Sequence, residues 1–313
     1  MKYAIGVDLG GTNIKYGLLD EQGKLIYEKI MPTEAEKGAE RVIQHLISAV
    51  KNVLKFAGKN NIVPVGIGIG TPGIVDRTHR IVLGGADNIT GWTQVPLAQR
   101  IEEVCQLPVF VNNDANLMGL GEQTFGGAKD CSDVLFITVG TGIGGAIIIN
   151  GKLFGGYDNR GTEMGHIPLF ADGIPCSCGS IGCLEAYAST NALIQQFREL
   201  CDQSGISFDK EINGKFIVKL YQQKHPVAVQ SLHQHCRYLA QGIAGLVNIF
   251  SPQKVVIGGG ISVSGTFYIE NIRKYFDRYV MPDCAVNTSI CAATLGNHAG
   301  ISGAAQWAFV NVR

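Results

Sequence analysis

Two glycine-rich turns contain the residue types that could hold a phosphate group. The first is Asp8-Leu9-Gly10-Gly11-Thr12-Asn13-Ile14-Lys15, which joins two strand-like runs. Glycines in such a turn let the backbone approach a ligand closely, so that exposed amides can bind phosphate oxygens. Thr12 adds a hydroxyl, Lys15 a positive charge, and Asp8 a carboxylate able to hold Mg2+. An ordinary hairpin turn is the competing interpretation for either turn alone.

The second turn is Gly140-Thr141-Gly142-Ile143-Gly144-Gly145. It strengthens the phosphate-binding interpretation because it is another glycine-rich turn between two strand-like runs. It formally matches the G-x-G-x-x-G fingerprint of dinucleotide-binding proteins, but that fingerprint requires a helix after the glycines. Here Ala146-Ile147-Ile148-Ile149 continues as a β-branched strand, and the sequence has no Walker-type G-x-x-x-x-G-K-[ST]. The two turns therefore predict a nucleotide held by two opposed hairpins.

A carboxylate follows a third strand-like run. In Val109-Phe110-Val111-Asn112-Asn113-Asp114-Ala115-Asn116, polar residues come directly after an apolar strand, where open α/β sheets gather their ligands. Asp114 could accept the proton of a sugar hydroxyl while that hydroxyl attacks phosphorus. The alternative is that Asp114 caps the helix through Leu117 to Glu122, since Asp is a preferred N-cap residue.

One His and three Cys occur close together, as His166 and then Cys176-Ser177-Cys178-Gly179-Ser180-Ile181-Gly182-Cys183. This set fits a closed tetrahedral zinc site, which contributes to folding and leaves no position for a catalytic water. A disulfide or unrelated thiols are the alternatives. Such a site would fix Glu163, His166 and Glu185 around one pocket.

Together these motifs resemble the ROK family (repressor, open reading frame, kinase), and among its members the bacterial glucokinases. The resemblance spans nearly the whole chain. The motifs that carry it are D-L-G-G-T-N-I-K, T-P-G at Thr71, N-I-T-G-W from Asn88, N-N-D-A-N, V-G-T-G-I-G-G, E-M-G-H to C-L-E, and V-I-G-G-G.

The resemblance implies a role for each matching position. Asp114 would be the base, and the residues that hydrogen-bond the sugar would be Asn88, Asn113, Asp114, Glu163, His166 and Glu185. Zinc would be bound by His166, Cys176, Cys178 and Cys183, so that His166 would touch the sugar through its other ring nitrogen. The ATP and Mg2+ site would comprise Asp8, Gly10, Gly11, Thr12, Asn13, Lys15, Thr141 and Gly142, with Gly258, Gly259 and Gly260 near adenosine.

The elements that must position these residues read as an α/β chain. Strand-like runs at Tyr3 to Leu9, Asn13 to Leu19 and Lys24 to Ile30 are followed by a helical period from Ala39 to Phe56. The pattern of strand, glycine turn and strand returns near Val134, which suggests an internal duplication. The family implies a two-lobed actin/hexokinase-like (ribonuclease H-like) fold with a central cleft. We expect a small lobe of residues 1–115 plus 298–313 and a large lobe of residues 116–297 that carries the zinc-binding insertion.

Composition narrows the class of protein. Hydrophobic residues make up 46% and charged residues 17%, and the 26 basic and 26 acidic side chains balance. No basic face for nucleic acid or an anionic membrane is therefore indicated. With no secretion-type leader, no apolar run long enough for a membrane helix and six scattered cysteines, we expect a cytoplasmic protein.

We therefore expect an ATP-dependent hexose kinase of carbohydrate metabolism that acts on the 6-hydroxyl, with glucose first. N-acetylglucosamine, N-acetylmannosamine, fructose, mannose and allose are alternatives, because hydroxyl epimers differ by a few hydrogen bonds that spacing does not reveal. The family resemblance also implies a homodimer. Its repressors carry an N-terminal helix-turn-helix, whereas this chain begins at its first strand. A non-catalytic sugar sensor is the rival from another class, although retention of Asp8, Lys15 and Asp114 disfavours it.

Overall fold

The computed structural model describes residues 1–312. Within them the chain forms twelve β-strands: β1 (Tyr3–Leu9), β2 (Asn13–Asp20), β3 (Leu25–Pro32), β4 (Ile67–Thr71), β5 (Ile74–Val75), β6 (Val82–Gly84), β7 (Val109–Asn113), β8 (Val134–Val139), β9 (Ile143–Ile149), β10 (Lys152–Phe154), β11 (Lys254–Gly258) and β12 (Ser289–Ala292). The α-helices of the same range are α1 (Ala39–Lys59), α2 (Leu97–Cys105), α3 (Asp114–Phe125), α4 (Leu184–Ala188), α5 (Thr190–Gln203), α6 (Gly214–Gln222), α7 (Pro226–Phe250), α8 (Thr266–Phe276), α9 (Pro282–Ala285) and α10 (Ala299–Asn311). None of these helices is both long enough and apolar enough to cross a membrane.

Two five-stranded sheets share one topology. The first has the order β3-β2-β1-β4-β7, in which β2 pairs antiparallel with β1 and β3, and β4 pairs parallel with β1 and β7. The second has the order β10-β9-β8-β11-β12, in which β11 likewise pairs parallel with β8 and β12. In both, three sequential strands are followed by two parallel strands reached through helices. The internal duplication predicted from the repeated hairpin is confirmed.

The described chain separates into two compact units. One comprises Met1–Ser132, Ala146–Thr162 and the C-terminal segment from Asn297, and the other comprises Asp133–Gly145 and Glu163–Gly296. These units are called the first and second units below. The expected lobe boundary between residues 115 and 116 stays a prediction.

The core of the first unit rests on the amphipathic helix α1. Val42, Leu46, Val50 and Val53 recur at helical spacing and are fully buried, which places them on one stripe of the helix. They belong to one cluster with the apolar side chains of β1, β4 and β7. Burial of one such side chain stabilises the fold by roughly 1.5–3 kcal/mol, so this cluster anchors the sheet whose strand ends carry the candidate site.

Helix α10 packs directly onto β1, β4 and α3 through positions where only glycine fits. A Cβ at Gly6 would lie 2.1 Å from the Ile301 carbonyl oxygen, and one at Gly68 would lie 1.7 Å from the Ala304 carbonyl oxygen. A Cβ at Gly303 would lie 1.6 Å from the Leu117 carbonyl oxygen. The helix backbone therefore rests against the sheet itself, which brings the first turn of α10 to the end of β1.

The second unit is organised around α7, which packs against α4, α5, α6 and α8. Pro226 occupies the first helical position, where its missing N–H is not needed. Inside the helix bundle, His235 Nε2 lies 2.8 Å from the Tyr268 hydroxyl, so these two buried atoms satisfy each other, while His235 Nδ1 has no partner among the described residues. Helix α8 of this bundle also contacts β12, at the edge of the second sheet.

Candidate active site

The strand ends of the first sheet gather the predicted polar residues at one edge. Parallel pairing aligns Asp8 of β1 with Gly70 of β4, and Gly70 with Asn112 of β7. The next pair is Thr71 with Asn113, directly before Asp114. Because parallel strands end at the same edge, Asp8 and Asp114 lie at one edge of the sheet, with Asp114 two residues beyond the row of Asp8. The structure therefore brings the two predicted carboxylates to one place.

Asp8 is a buried carboxylate, only 4% exposed, and its Oδ1 has no hydrogen-bond partner among the described residues. The pKa of Asp8 is raised from 3.8 to about 6, mainly by burial and also by the charge of Asp114, while Lys15 opposes both. A Cβ at Gly300 would lie 2.4 Å from the Asp8 carboxyl carbon, so the first turn of α10 approaches this group. An unpartnered carboxylate oxygen is the kind of hard ligand that Mg2+ prefers, so the residues present fit that ion.

Asp114 is the first residue of α3 but does not cap it. The N-cap is Asn113, whose side-chain oxygen accepts from the Asn116 amide at 3.1 Å, while its Nδ2 donates to the Gly73 carbonyl at 3.2 Å. The alternative that Asp114 merely caps this helix is therefore wrong. Asp114 Oδ1 accepts from the Ala115 amide at 2.8 Å, and a carboxylate at a helix N-terminus is stabilised by the helix dipole.

The first glycine turn is a tight connection between β1 and β2. Its closing bond runs from the Gly10 amide to the Asn13 carbonyl at 3.0 Å, and Thr33 Oγ1 donates to the Gly10 carbonyl at 2.6 Å. A Cβ at Gly11 would lie 3.5 Å from Asn88 Nδ2, so the turn and the Asn88 loop adjoin. Lys15 Nζ donates to Asn297 Oδ1 at 3.4 Å. Thr12, exposed in this turn, presents its hydroxyl beside these groups.

The Asn88 loop is held by a buried tryptophan. Trp92 is 1% exposed, and its Nε1 donates to Thr71 Oγ1 at 3.0 Å, at the end of β4. A buried indole N–H needs such a partner. Thr71 and Trp92 therefore fix the loop that carries Asn88, a positioning role that the sequence motifs did not assign.

The second glycine turn is fixed by Glu185. Glu185 Oε2 accepts from the Ile143 amide at 2.8 Å, and its Oε1 accepts from Ser177 Oγ at 3.1 Å. A Cβ at Gly142 would lie 2.3 Å from Glu185 Oε2, so a larger residue there would displace the Glu185 carboxylate. The Gly140 amide donates to the Gly142 carbonyl at 2.9 Å and closes the turn. Glu185 thus links this turn to the cysteine-rich segment.

The predicted metal ligands converge in the second unit. The donor atoms of His166, Cys176, Cys178 and Cys183 all lie within 4.8 Å of one another. Cys176 Sγ is 3.6 Å from His166 Nδ1, and the sulfurs of Cys178 and Cys183 are 3.7 Å apart. Tetrahedral zinc with Zn–S bonds of about 2.3 Å separates its sulfur ligands by about 3.8 Å. The donor set and its spacing therefore fit a structural zinc ion.

Glu163, His166 and Glu185 form one electrostatic group beside the cysteines. Partial desolvation raises the pKa of Glu163; His166 lowers it, and the Glu185 carboxylate raises it again. With Nδ1 of His166 directed at Cys176, the other ring nitrogen, Nε2, is the one left for a ligand. The three side chains therefore interact electrostatically, and their placement around one sugar pocket stays a prediction.

The Gly258 to Gly260 segment ends β11 next to β8. Gly259 has φ +97°, and a Cβ there would lie 2.0 Å from the Val139 carbonyl oxygen, which only glycine avoids. A cavity of about 430 Å³ opens beside Gly260 and Thr141. Its other walls come from residues that the motifs did not single out, namely Thr190, Asn191, Asn213, Gly214, Lys215, Ile261 and Ser264. The sequence signal that could have indicated part of this wall is Asn213, a preferred N-cap residue, which begins α6.

Known proteins resemble the chain over its whole length. The profile of the ROK family matches residues 4–310. A glucokinase of Streptomyces coelicolor is 37% identical over 98% of both chains. A crystal structure of a ROK family glucokinase from Streptomyces griseus with glucose and AMPPNP is 36% identical, has a TM-score of 0.84, and covers 99% of this chain and 100% of its own.

A regulator is also similar. The crystal structure of a ROK family transcriptional regulator, a homologue of the Escherichia coli MLC protein, has a TM-score of 0.87 at 25% identity, covering 99% of this chain and 78% of its own. The predicted α/β class of the actin/hexokinase type is confirmed by these structures. The matched profile and the full-length relatives place this chain in the ROK family.

Proposed function

We propose that this protein catalyses ATP-dependent phosphorylation of a hexose at its 6-hydroxyl, with glucose as the first candidate. The observation that carries the proposal is the pair of carboxylates at one sheet edge, Asp8 and Asp114, next to a glycine turn. Full-length similarity to glucokinases supports the reaction and the sugar. The sequence identity to glucokinases is high enough to infer the type of reaction, and the sugar substrate needs an experiment.

Asp114 is proposed as the general base. The proton of the sugar 6-hydroxyl passes to the Asp114 carboxylate while the hydroxyl oxygen forms its bond to the γ-phosphorus of ATP. The bond from that phosphorus to the bridging oxygen breaks, and ADP leaves with the electron pair. The backbone amide of Ala115 and the start of α3 orient the carboxylate.

The phosphates are proposed to lie against the two glycine turns. In the first unit the contacts come from Gly10, Gly11, Thr12 and Asn13, with Lys15 as the cation; in the second they come from Thr141 and Gly142. Asp8 would hold Mg2+, directly or through water, since its Oδ1 is unpartnered. When bound, the ion neutralises phosphate charge. The cavity lined by Gly260 would take adenosine, and Gly258 and Gly259 directly precede this residue at the end of β11.

The sugar hydroxyls are proposed to bind Asn88, Asn113, Glu163, His166 and Glu185. Each carboxylate oxygen of Glu185 already accepts one hydrogen bond. A carboxylate can accept about four hydrogen bonds in all. Glu185 can therefore hold the second glycine turn and a sugar hydroxyl together. Zinc at the cysteine cluster would fix the His166 tautomer and leave Nε2 for the sugar.

The test is ADP release with MgATP across glucose, mannose, fructose, allose, N-acetylglucosamine and N-acetylmannosamine. We expect the highest kcat/KM with glucose, and phosphorus NMR of the product should identify the 6-phosphate. Asp114→Asn is the control for contaminating kinases.

Similarity to a ROK transcriptional regulator keeps a sugar sensor as the second candidate. Saturable glucose binding without turnover on any of the six sugars would contradict the kinase and favour the sensor. Turnover with a higher kcat/KM for another sugar would support kinase activity but contradict glucose as the preferred substrate.

A further inference from the structure

The first unit contains a second cavity, whose lining residues are not those proposed to bind sugar and nucleotide, although Asn112 and Asn116 adjoin Asn113. Its volume is about 360 Å³, within the range of small-molecule sites. Its walls come from the loop after β5, the start of α3, the segment that follows β10, and α10. The side chains used in the argument are Arg77, His79, Asn112, Asn116, Tyr157 and Trp307.

Asn112 presents an uncommitted donor to this cavity although it is only 1% exposed. Its Oδ1 accepts from the Asn113 amide at 2.8 Å and from Asn116 Nδ2 at 3.4 Å. Its own Nδ2 donates to none of the described residues. Buried side-chain amides normally have partners, so this N–H group marks a position where a ligand oxygen fits.

Two aromatic residues add further unpartnered atoms. The rings of His79 and Trp307 meet edge to face with centroids 4.8 Å apart. His79 Nδ1 and Trp307 Nε1 are both buried and have no hydrogen-bond partner among the described residues. An indole N–H can only donate. Burial lowers the pKa of His79 and keeps its ring neutral, so these rings supply a polar but uncharged wall.

The cavity has one cation at its rim. The Arg77 side chain is 74% exposed and lies 3.7 Å from Asp158, a contact too long and too open to immobilise it. A guanidinium group can bind two oxygens of a phosphate at once. The cavity therefore combines hydrogen-bond donors inside, aromatic surfaces along the wall, and a mobile arginine at the mouth.

We propose that this cavity is a second small-molecule site for a phosphorylated monosaccharide. The sugar ring would lie against Trp307, His79 and Tyr157, its hydroxyl oxygens would accept from Asn112, Asn116 and Trp307, and its phosphate would bind Arg77. The volume suits a hexose phosphate and is small for a nucleotide. None of the lining residues belongs to the proposed sugar, nucleotide or zinc sites.

The test is calorimetric titration with glucose 6-phosphate while saturating glucose and AMPPNP occupy the proposed active site. We expect saturable binding of one molecule per chain. Arg77→Gln and Trp307→Phe should each weaken it at least about tenfold, while Arg278→Gln, which changes an exposed arginine outside this cavity, should not. Inorganic phosphate should bind at least about tenfold more weakly than the hexose phosphate, and glucose alone should give no further binding.

Fluorescence gives an independent readout, because Trp307 is one of only two tryptophans in the sequence. The emission should change on titration in the wild type and lose that change in Trp307→Phe. No saturable binding with the active site filled, or unchanged affinity in Arg77→Gln, would overturn the proposal. Equal affinity for inorganic phosphate would overturn the assignment to a sugar phosphate. Arg77 is largely exposed, so its substitution should leave folding intact, which a thermal unfolding curve checks.

Discussion

Replacing Asp8 by Asn should make the protein more stable and less active. Burial raises the pKa of Asp8 from 3.8 to about 6, so the folded protein binds this proton more readily than the unfolded chain does. Each pKa unit corresponds to 1.36 kcal/mol, and the ionised carboxylate therefore opposes folding by about 3 kcal/mol above pH 6. The protein is most stable with Asp8 protonated, so this contribution to the free energy of unfolding is complete below pH 4. It is lost as the pH rises through about 6.

Urea unfolding of wild type and Asp8→Asn at pH 4.5 and pH 8, without added Mg2+, measures this effect. The variant should gain up to about 3 kcal/mol in free energy of unfolding at pH 8 and much less at pH 4.5. Adding Mg2+ at pH 8 should stabilise the wild type and not the variant. Loss of a metal ligand should lower kcat/KM by about 100-fold.

Asp20→Asn is the matched control. Asp20 is equally buried, but its Oδ1 already accepts from the Gln22 and Lys24 amides, so its substitution should give no gain in the free energy of unfolding at pH 8. An Asp8→Asn variant that is less stable than wild type at pH 8, or equally changed at both pH values, would refute the burial argument.

Three further outcomes follow from close contacts and from the cysteine cluster. Gly142→Ala should push Glu185 away from the second glycine turn, since the new Cβ would lie 2.3 Å from its Oε2; kcat/KM should fall by about 100-fold, and a wild-type value would contradict this placement. Gly68→Ala should destabilise the fold by about 3 kcal/mol or more in urea unfolding, whereas Gly245→Ala, with open space around it, should be neutral or stabilising; equal effects would contradict the packing of α10. Chelation of zinc, or Cys183→Ser, should lower Tm by at least about 10 °C, and metal analysis that finds no zinc in the purified protein would remove the structural site.

Most sheet strands were predictable from the sequence because apolar runs bounded by glycine turns have few alternatives. Strand β12 was not predicted, since Ser289–Ala292 has one buried side chain and is held by parallel pairing with β11. The short pair β5 and β6 was missed for the same reason. Tertiary pairing, and not local pattern, determines such strands.

Helix boundaries show the same limit. The apolar period of the sequence predicts one helix from Glu185 to Leu200, but the structure has α4 and α5 with a break at Ser189. Ser189 is extended at ψ 167° and caps α5 by accepting from the Ala192 amide. A Ser-Thr-Asn run inside an apolar period is a capping signal that could have indicated the break.

The candidate site was predictable in its residue types and less so in its contacts. The cluster of one His and three Cys was predictable from spacing because its members are close in sequence, and zinc binding there stays a prediction. The bond from the Ile143 amide to Glu185 joins residues far apart in the chain, and only the fold reveals it. Sugar identity, the homodimer, the cytoplasmic location and the roles of the individual site residues stay predictions.

The central claim is that Asp114 accepts the proton of the sugar hydroxyl. The most direct test compares kcat with the equilibrium Kd for glucose in wild type and Asp114→Asn, by ADP release and calorimetry. The account predicts a fall in kcat of about 10²- to 10⁴-fold, with Kd changed by less than about tenfold, because an amide keeps the shape and an acceptor oxygen. A variant that retains kcat within threefold of wild type would contradict the assignment of Asp114 as the base.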